Sequence, residues 1–193
     1  MIRVFSKFEN IPKNFMAIDT TSSGPFKDLS PFYVGPYFFN HPKTGLMSCR
    51  RMENLWQYTK VYPQYADQDG NPTPAFFQWM SDGFSNQRAV RYPIGKGVKP
   101  LYSWWGDYKL DYIMARKVIY IPHYAERVRY AGSFSKIRVI LRNHDVALLD
   151  FDGYDHLSMG MTLKDVVHNT KKSMGHAFVL YGMLTGELQQ MLG

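Results

Sequence analysis

The sequence reads as an α+β protein, a mostly α-helical single domain with a small β-sheet. Its 193 residues suit one domain built on one core. Helical spacing of apolar residues dominates from residue 48 onward, and a single short apolar run, 146–151, is bounded by polar and glycine residues as a buried strand requires. With 45% hydrophobic and 20% charged residues, disorder over the whole chain is excluded.

Taken in order, Arg3-Val4-Phe5, Phe32-Tyr33-Val34 and Tyr37-Phe38-Phe39 favour short strands or extended loops, cut by Pro25, Pro31, Pro36 and Pro42. Over 48–62, Met52, Leu55, Trp56 and Thr59 recur at helical spacing, with Ser48 as cap and Pro63 as stop. Thr73 and Pro74 open a second, short helix that Gly83 closes. After a basic, glycine-bearing loop over 84–103, Asp107 opens a third helix with Leu110, Ile113, Met114 and Val118 on one face, ended or kinked at Pro122. Residues 122–131 and 133–142 read as helices and 146–151 as the strand. Thr162 to Asp165 approximates a capping box, and Ala177, Leu180, Leu184, Leu188 and Met191 mark a long closing helix.

Cys49 is the only cysteine, which excludes an intrachain disulfide and a multi-cysteine metal site and implies a reducing compartment. It reads as a buried thiol without chemistry. The start is polar-interrupted and no apolar run is long enough to span a bilayer, so a cytoplasmic protein without a membrane partner is expected. The six histidines lack paired metal spacing, so neither a metal nor a cofactor is expected. A formal charge of +7 favours phosphate-bearing partners.

Three constellations can carry chemistry. Glu53, Gln57 and Lys60 fall four and three residues apart on one helix face, beside Trp56, aligning a carboxylate, an amide and an ammonium. Arg88, Arg91, Lys96 and Lys99, with Gly95 and Gly97, form a cationic loop followed by the planar Tyr102, Trp104 and Trp105. The strand over 146–151 delivers Asp150, Asp152 and Asp155, with His156 next to the last. Its Leu149-Asp150-Phe151-Asp152-Gly153 stretch is similar to the nucleophile motif of haloacid-dehalogenase-type phosphatases, but too few residues follow it for their doubly wound core.

In order along the chain, these pieces resemble the NADAR family. Ser30-Pro31-Phe32-Tyr33 and then Glu53-Asn54-Leu55-Trp56-Gln57-Tyr58-Thr59-Lys60-Val61 look like its short β region and its Glu-His-aromatic-aromatic-Gln-x-x-Lys-Phe helix, with Asn54 where the family has His. Lys99-Pro100-Leu101, Trp105 and Met114 look like its loop and following helix. The segments 148–155 and 175–188 look like its polar-ended strand and its closing helix.

The resemblance implies one NADAR-like domain over 1–193, with 64–83 as an insertion. It implies an N-glycosidase-like hydrolase acting on an ADP-ribosylated or ribosylated base or nucleotide, including removal of ADP-ribose from nucleic acid. Such chemistry builds positive charge on the sugar, so it calls for a carboxylate, help for the departing base and cations for phosphates. Glu53 and Asp155 are assigned the carboxylate roles and Trp105 the stacking of the base, the three lining one pocket. Trp56, Gln57, Lys60, Lys96, Lys99, Asp152 and His156 are assigned to substrate binding. The alternative is a non-enzymatic, basic nucleic-acid-binding or interaction protein. The oligomeric state stays open.

Overall fold

The structure, a computed structural model, describes every residue from Met1 to Gly193. Helix accounts for 37% of the chain and strand for 19%, so the α+β class holds. In chain order the strands and helices begin with β1 (Ile2–Ser6), β2 (Phe15–Asp19), β3 (Tyr37–His41), β4 (Gly45–Cys49), α1 (Met52–Tyr58) and β5 (Lys60–Val61). They continue with α2 (Pro74–Ser85), β6 (Tyr102–Trp105), β7 (Tyr108–Leu110), α3 (Tyr112–Ala115) and α4 (Ile121–Val128). The last are α5 (Gly132–Ile140), β8 (Asp145–Asp150), α6 (Leu163–His168) and α7 (His176–Thr185). No helix is long and apolar enough to cross a membrane. The chain divides into two compact units, Met1–Val34 with Arg116–Gly193 as unit 1 and Gly35–Ala115 as unit 2.

Unit 1 is organised by a three-stranded parallel sheet in the order β1-β8-β2. Central β8 pairs on both sides, Val4 with Leu148 and Ile18 with the same residue, and Val146, Ala147 and Leu148 are fully buried. A strand covered on both faces needs no polar alternation, which explains its continuous apolar run. Helix α7 is apolar on every side, with Ala177, Phe178, Val179 and Leu180 completely buried, and it packs on β1, β8 and α4.

Buried Arg116 serves the C-terminal end of α6. Its Nη1 donates to the carbonyls of Val167 (2.7 Å) and Asn169 (3.0 Å), and its Nη2 to that of Lys172 (3.2 Å). A guanidinium there satisfies carbonyls that the helix end leaves orphaned and suits the negative end of its dipole. At the other end of α6 the capping box is complete: the Asp165 N–H donates to Thr162 Oγ1 and the Thr162 N–H to Asp165 Oδ2.

Unit 2 contains the β3–β4 hairpin and a three-stranded antiparallel sheet, β5-β6-β7. Alternation along β3 turns Tyr37, Phe39 and His41 inward. Phe39 stacks on Trp105 at 5.8 Å and meets Phe84 of α2 edge-on at 5.9 Å. His41 stacks on Trp104 at 4.3 Å. Helix α1 buries Met52 and Leu55 completely, and Gly83 of α2 lies so close to Tyr58 of α1 that a Cβ there would stand 2.0 Å from the ring.

Several local expectations need correction. Residues 32–34 form a turn, because the N–H groups of Tyr33 and Val34 both donate to the Ser30 carbonyl. Ser48 belongs to β4, and the N-cap of α1 is Arg51. Gly83 lies inside α2, where packing on Tyr58 outweighs its helix-breaking tendency. Asp107 sits in the β6–β7 connection; Asp111 opens α3, its Oδ1 accepting from the Met114 N–H at 2.8 Å. Pro122 lies in the first turn of α4, directly after wide π turns over Arg116–Tyr120. Lacking an N–H, it cannot continue the preceding ladder but can start a new one. The closing helix stops at Thr185, where Gly186 takes a φ of +80°, and a separate 3-10 turn, Leu188–Met191, follows.

Candidate functional site

Helix α1 has two working faces. On one, Asn54 Nδ2 donates to the carbonyls of Asn86 (3.2 Å) and Arg88 (2.9 Å), while its Oδ1 accepts from the Val90 N–H (2.8 Å). This buried amide clamps the start of the basic loop.

On the other face, Gln57 Nε2 donates to Glu53 Oε1 at 2.8 Å, and Lys60 Nζ donates to Gln57 Oε1 at 2.9 Å. The expected single helix face is shorter than the spacing implies: α1 ends at Tyr58 and Lys60 belongs to β5, from which its long side chain reaches back to complete a hydrogen-bonded relay. Its two ends orient the amide: reversed, it would set oxygen against carboxylate and NH₂ against ammonium. Glu53 and Gln57 are buried and Lys60 is half-buried. Lys60 Nζ also lies 4.6 Å from the ring centre of Trp56, a cation–π contact.

Burial is the largest influence on the Lys60 ammonium and, with the charge of Arg91, pushes its pKa down to about 8 against the opposing pull of Glu53. A carboxylate, a polarised amide and an amine that titrates near pH 8 can orient a ligand, hold an anion and exchange a proton.

Trp105 belongs to the aromatic core of unit 2. It is 5% exposed, stacked on Phe39, with the ring of His41 edge-on at 4.7 Å. Lys96 and Lys99 are exposed on the basic loop, where Gly95 and Gly97 take φ of +126° and +87° to turn the chain around Lys96. Cys49 is buried, its Sγ donates to the Arg51 carbonyl, and burial pushes its pKa up to about 12, so the thiol is inert at neutral pH.

Asp152, Asp155 and His156 stand in unit 1. Burial favours a raised Asp155 pKa, but hydrogen bonds from Ser158 and from Arg3 Nη1 (2.8 Å) outweigh it and hold the carboxyl below its ordinary range. That environment suits a permanently ionised, structurally paired carboxylate and is poor for a base working near neutrality. His156 is 1% exposed, edge-on to Phe178 and Tyr181, with no hydrogen bond to Nδ1, and burial lowers its pKa. The Asp152 N–H donates to Asp150 Oδ1 at 3.3 Å.

Asp150 and His176 form a buried pair in unit 1. His176 Nδ1 lies 2.9 Å from Asp150 Oδ2, and its Nε2 donates to the Thr20 carbonyl at 2.9 Å. The Ala177 N–H donates to the same Asp150 oxygen, so the carboxylate also caps α7. Burial would raise the Asp150 pKa, but the His176 charge and these hydrogen bonds override it and keep the carboxylate ionised. A Cβ on Gly175 would stand 2.2 Å from Asp150 Oδ2, so glycine leaves room for the carboxylate to reach the helix. The strand-end aspartate is a structural cap.

Sequence reasoning missed another unit 1 cluster, Lys7 with Asp19, Thr21 and Ser23, at the carboxyl ends of β1 and β2. The hydroxyl-rich run Thr20 to Ser23 ending in Gly24 was its only signal. In comparisons with known proteins, no family model matches the chain, and no curated protein or solved structure matches it significantly.

Proposed function

We propose that the protein is a hydrolase of N-glycosidic bonds, acting on a ribosylated or ADP-ribosylated base through the face of α1 that carries Glu53. The Glu53–Gln57–Lys60 relay carries this reading. Departure of a base leaves positive charge on the sugar, and a buried carboxylate beside it stabilises that charge more strongly than one in water. Gln57 holds the Glu53 side chain in one orientation. Lys60, cationic below about pH 8, holds a phosphate on the ribose. Lys96 and Lys99 on the exposed loop draw in the anionic ligand.

The test is turnover of ADP-ribosylated nucleosides and short DNA, with release of the free base followed chromatographically. Glu53→Gln keeps size and hydrogen bonding but removes the charge, and should lower kcat on the order of a hundredfold with little change in ligand affinity. Full activity in this variant would sink the assignment. No cleavage by the wild-type protein, with salt-sensitive binding to unmodified DNA, would favour a nucleic-acid-binding protein instead.

A further inference from the structure

We propose that unit 1 holds a separate nucleoside-binding site at the carboxyl edge of its parallel sheet, made by Phe8 and Phe151 with Ser23 and Asp19. The proposal uses no residue of the α1 relay and does not depend on the chemistry assigned to it.

Two independent observations converge there. The first is an aromatic platform. Phe8, just beyond β1, is 80% exposed and Phe151, just beyond β8, is 44% exposed, yet their rings are in contact, with centroids 5.7 Å apart and planes at 46°. A single exposed phenylalanine is ordinary, but two meeting on neighbouring strand ends form an apolar surface open to solvent. Flat heteroaromatic rings stack on such surfaces without needing a particular base.

The second is the polar cluster beside it. Lys7 Nζ lies 5.2 Å from the Phe151 ring centre and donates to Asp19 Oδ2 (2.7 Å), Thr21 Oγ1 (2.9 Å) and Ser23 Oγ (2.6 Å). Asp19 Oδ1 accepts from both the N–H and the hydroxyl of Thr21. The loop is held tightly over the strand end, since a Cβ on Gly24 would stand 2.4 Å from the Asp19 carbonyl oxygen.

The hydrogen-bond inventory selects the ligand. An ammonium has three donors, and all three of Lys7's are committed inside the cluster, with its charge matched by Asp19. A phosphate would meet a carboxylate and no uncommitted cation. Asp19 Oδ2 keeps acceptor capacity, and exposed Ser23 Oγ, which accepts from Lys7 and gives its own proton to Thr21 Oγ1 at 3.1 Å, keeps one free lone pair. Those groups suit the hydroxyls of an uncharged sugar, with the attached base on the phenylalanines. Ligands of open parallel sheets bind outside the carboxyl ends of the strands, the edge that β1, β2 and β8 share here.

Calorimetric titration of the intact protein with adenosine, 2′-deoxyadenosine and inorganic phosphate tests the site. Wild type should bind adenosine saturably. Phe8→Ala should weaken that binding on the order of tenfold, the scale of a lost base stack, with an unchanged thermal melt because Phe8 contributes little to the core. Ser23→Ala should reduce the preference for adenosine over the deoxynucleoside, and phosphate should not compete. Absence of saturable adenosine binding, or equal affinity in Phe8→Ala, overturns the site. Wild-type affinities equal for the two nucleosides overturn its sugar half, and displacement of adenosine by phosphate would reveal an anion site instead.

Discussion

Each unit contains a carboxyl group matched to a basic side chain, and the two arrangements differ in what stands between the partners. In unit 1, Asp150 and His176 touch directly at 2.9 Å with side chains only 5% and 7% exposed. In unit 2 the Gln57 amide separates Glu53 from Lys60, and the half-buried ammonium is pushed down to about 8. A direct pair joined to a helix N-terminus locks both charges in place. An interposed amide weakens the Coulombic support for the ammonium while burial still opposes its charge, so its proton is easily lost. Direct contact in unit 1 therefore serves the fold, and spaced contact in unit 2 leaves a group able to do chemistry.

The strongest way to break this comparison is Asp150→Ala. It strands the buried imidazole and uncaps α7, and should cost about 3–5 kcal/mol in denaturant unfolding, the range for removing one partner of a buried pair. A loss below about 1 kcal/mol, the scale of an exposed pair, would show that the contact is not structural. The Asp150 carboxyl lies below its ordinary range in the folded state, so its contribution is present above the unfolded carboxylate pKa and is lost as pH falls through the folded value.

Gly83→Ala probes the seating of α1. The new methyl must displace Tyr58 or separate α1 from α2, with an expected loss of about 1–3 kcal/mol in the same unfolding measurement. An unchanged midpoint would mean that the helix yields easily and is a poor platform for the relay.

Lys60 sharpens the comparison through pH. An ordinary lysine stays charged to about pH 10.4, so binding of a phosphate-bearing ligand should instead weaken as pH rises through 8 and follow Lys60, and Lys60→Met should remove that dependence. Between about pH 8 and 10.4 the unfolded chain binds the proton that the folded chain releases, so wild-type stability should rise over that window. Flat binding and stability there would refute a depressed Lys60. The smallest effect is Thr162→Ala, which removes one half of the capping box of α6 and should cost about 1 kcal/mol, read as a shift of the denaturant midpoint.

Much of the architecture was legible because local rules and packing agreed. Strand β8 was readable from its unbroken apolar run, α6 from Thr162 and Asp165, and the Glu53–Gln57 half of the relay from its helical spacing. Strand β2 was not: its apolar run, Phe15 to Ile18, is only four residues long and shows no alternation, and it becomes a strand by pairing in parallel with β8. Asp107 had the chemistry of a helix cap, yet the β6–β7 hairpin claimed it, and the cap fell to Asp111.

Taken alone, the sequence determined the element types wherever hydrogen bonding and side-chain spacing act within a few residues, along with the alignment of Glu53 and Gln57 on α1, while Lys60 joined them from β5. Tertiary structure decided the rest. It packed Trp105 into an aromatic core, turned Asp150 into the cap of a helix 26 residues away by numbering from His176, and gathered Lys7, Asp19, Thr21 and Ser23 at one sheet edge. The physical reason is range. Caps and helical faces depend on neighbours three or four residues away, whereas burial, charge pairing and parallel strand contacts depend on residues that only the folded chain brings together.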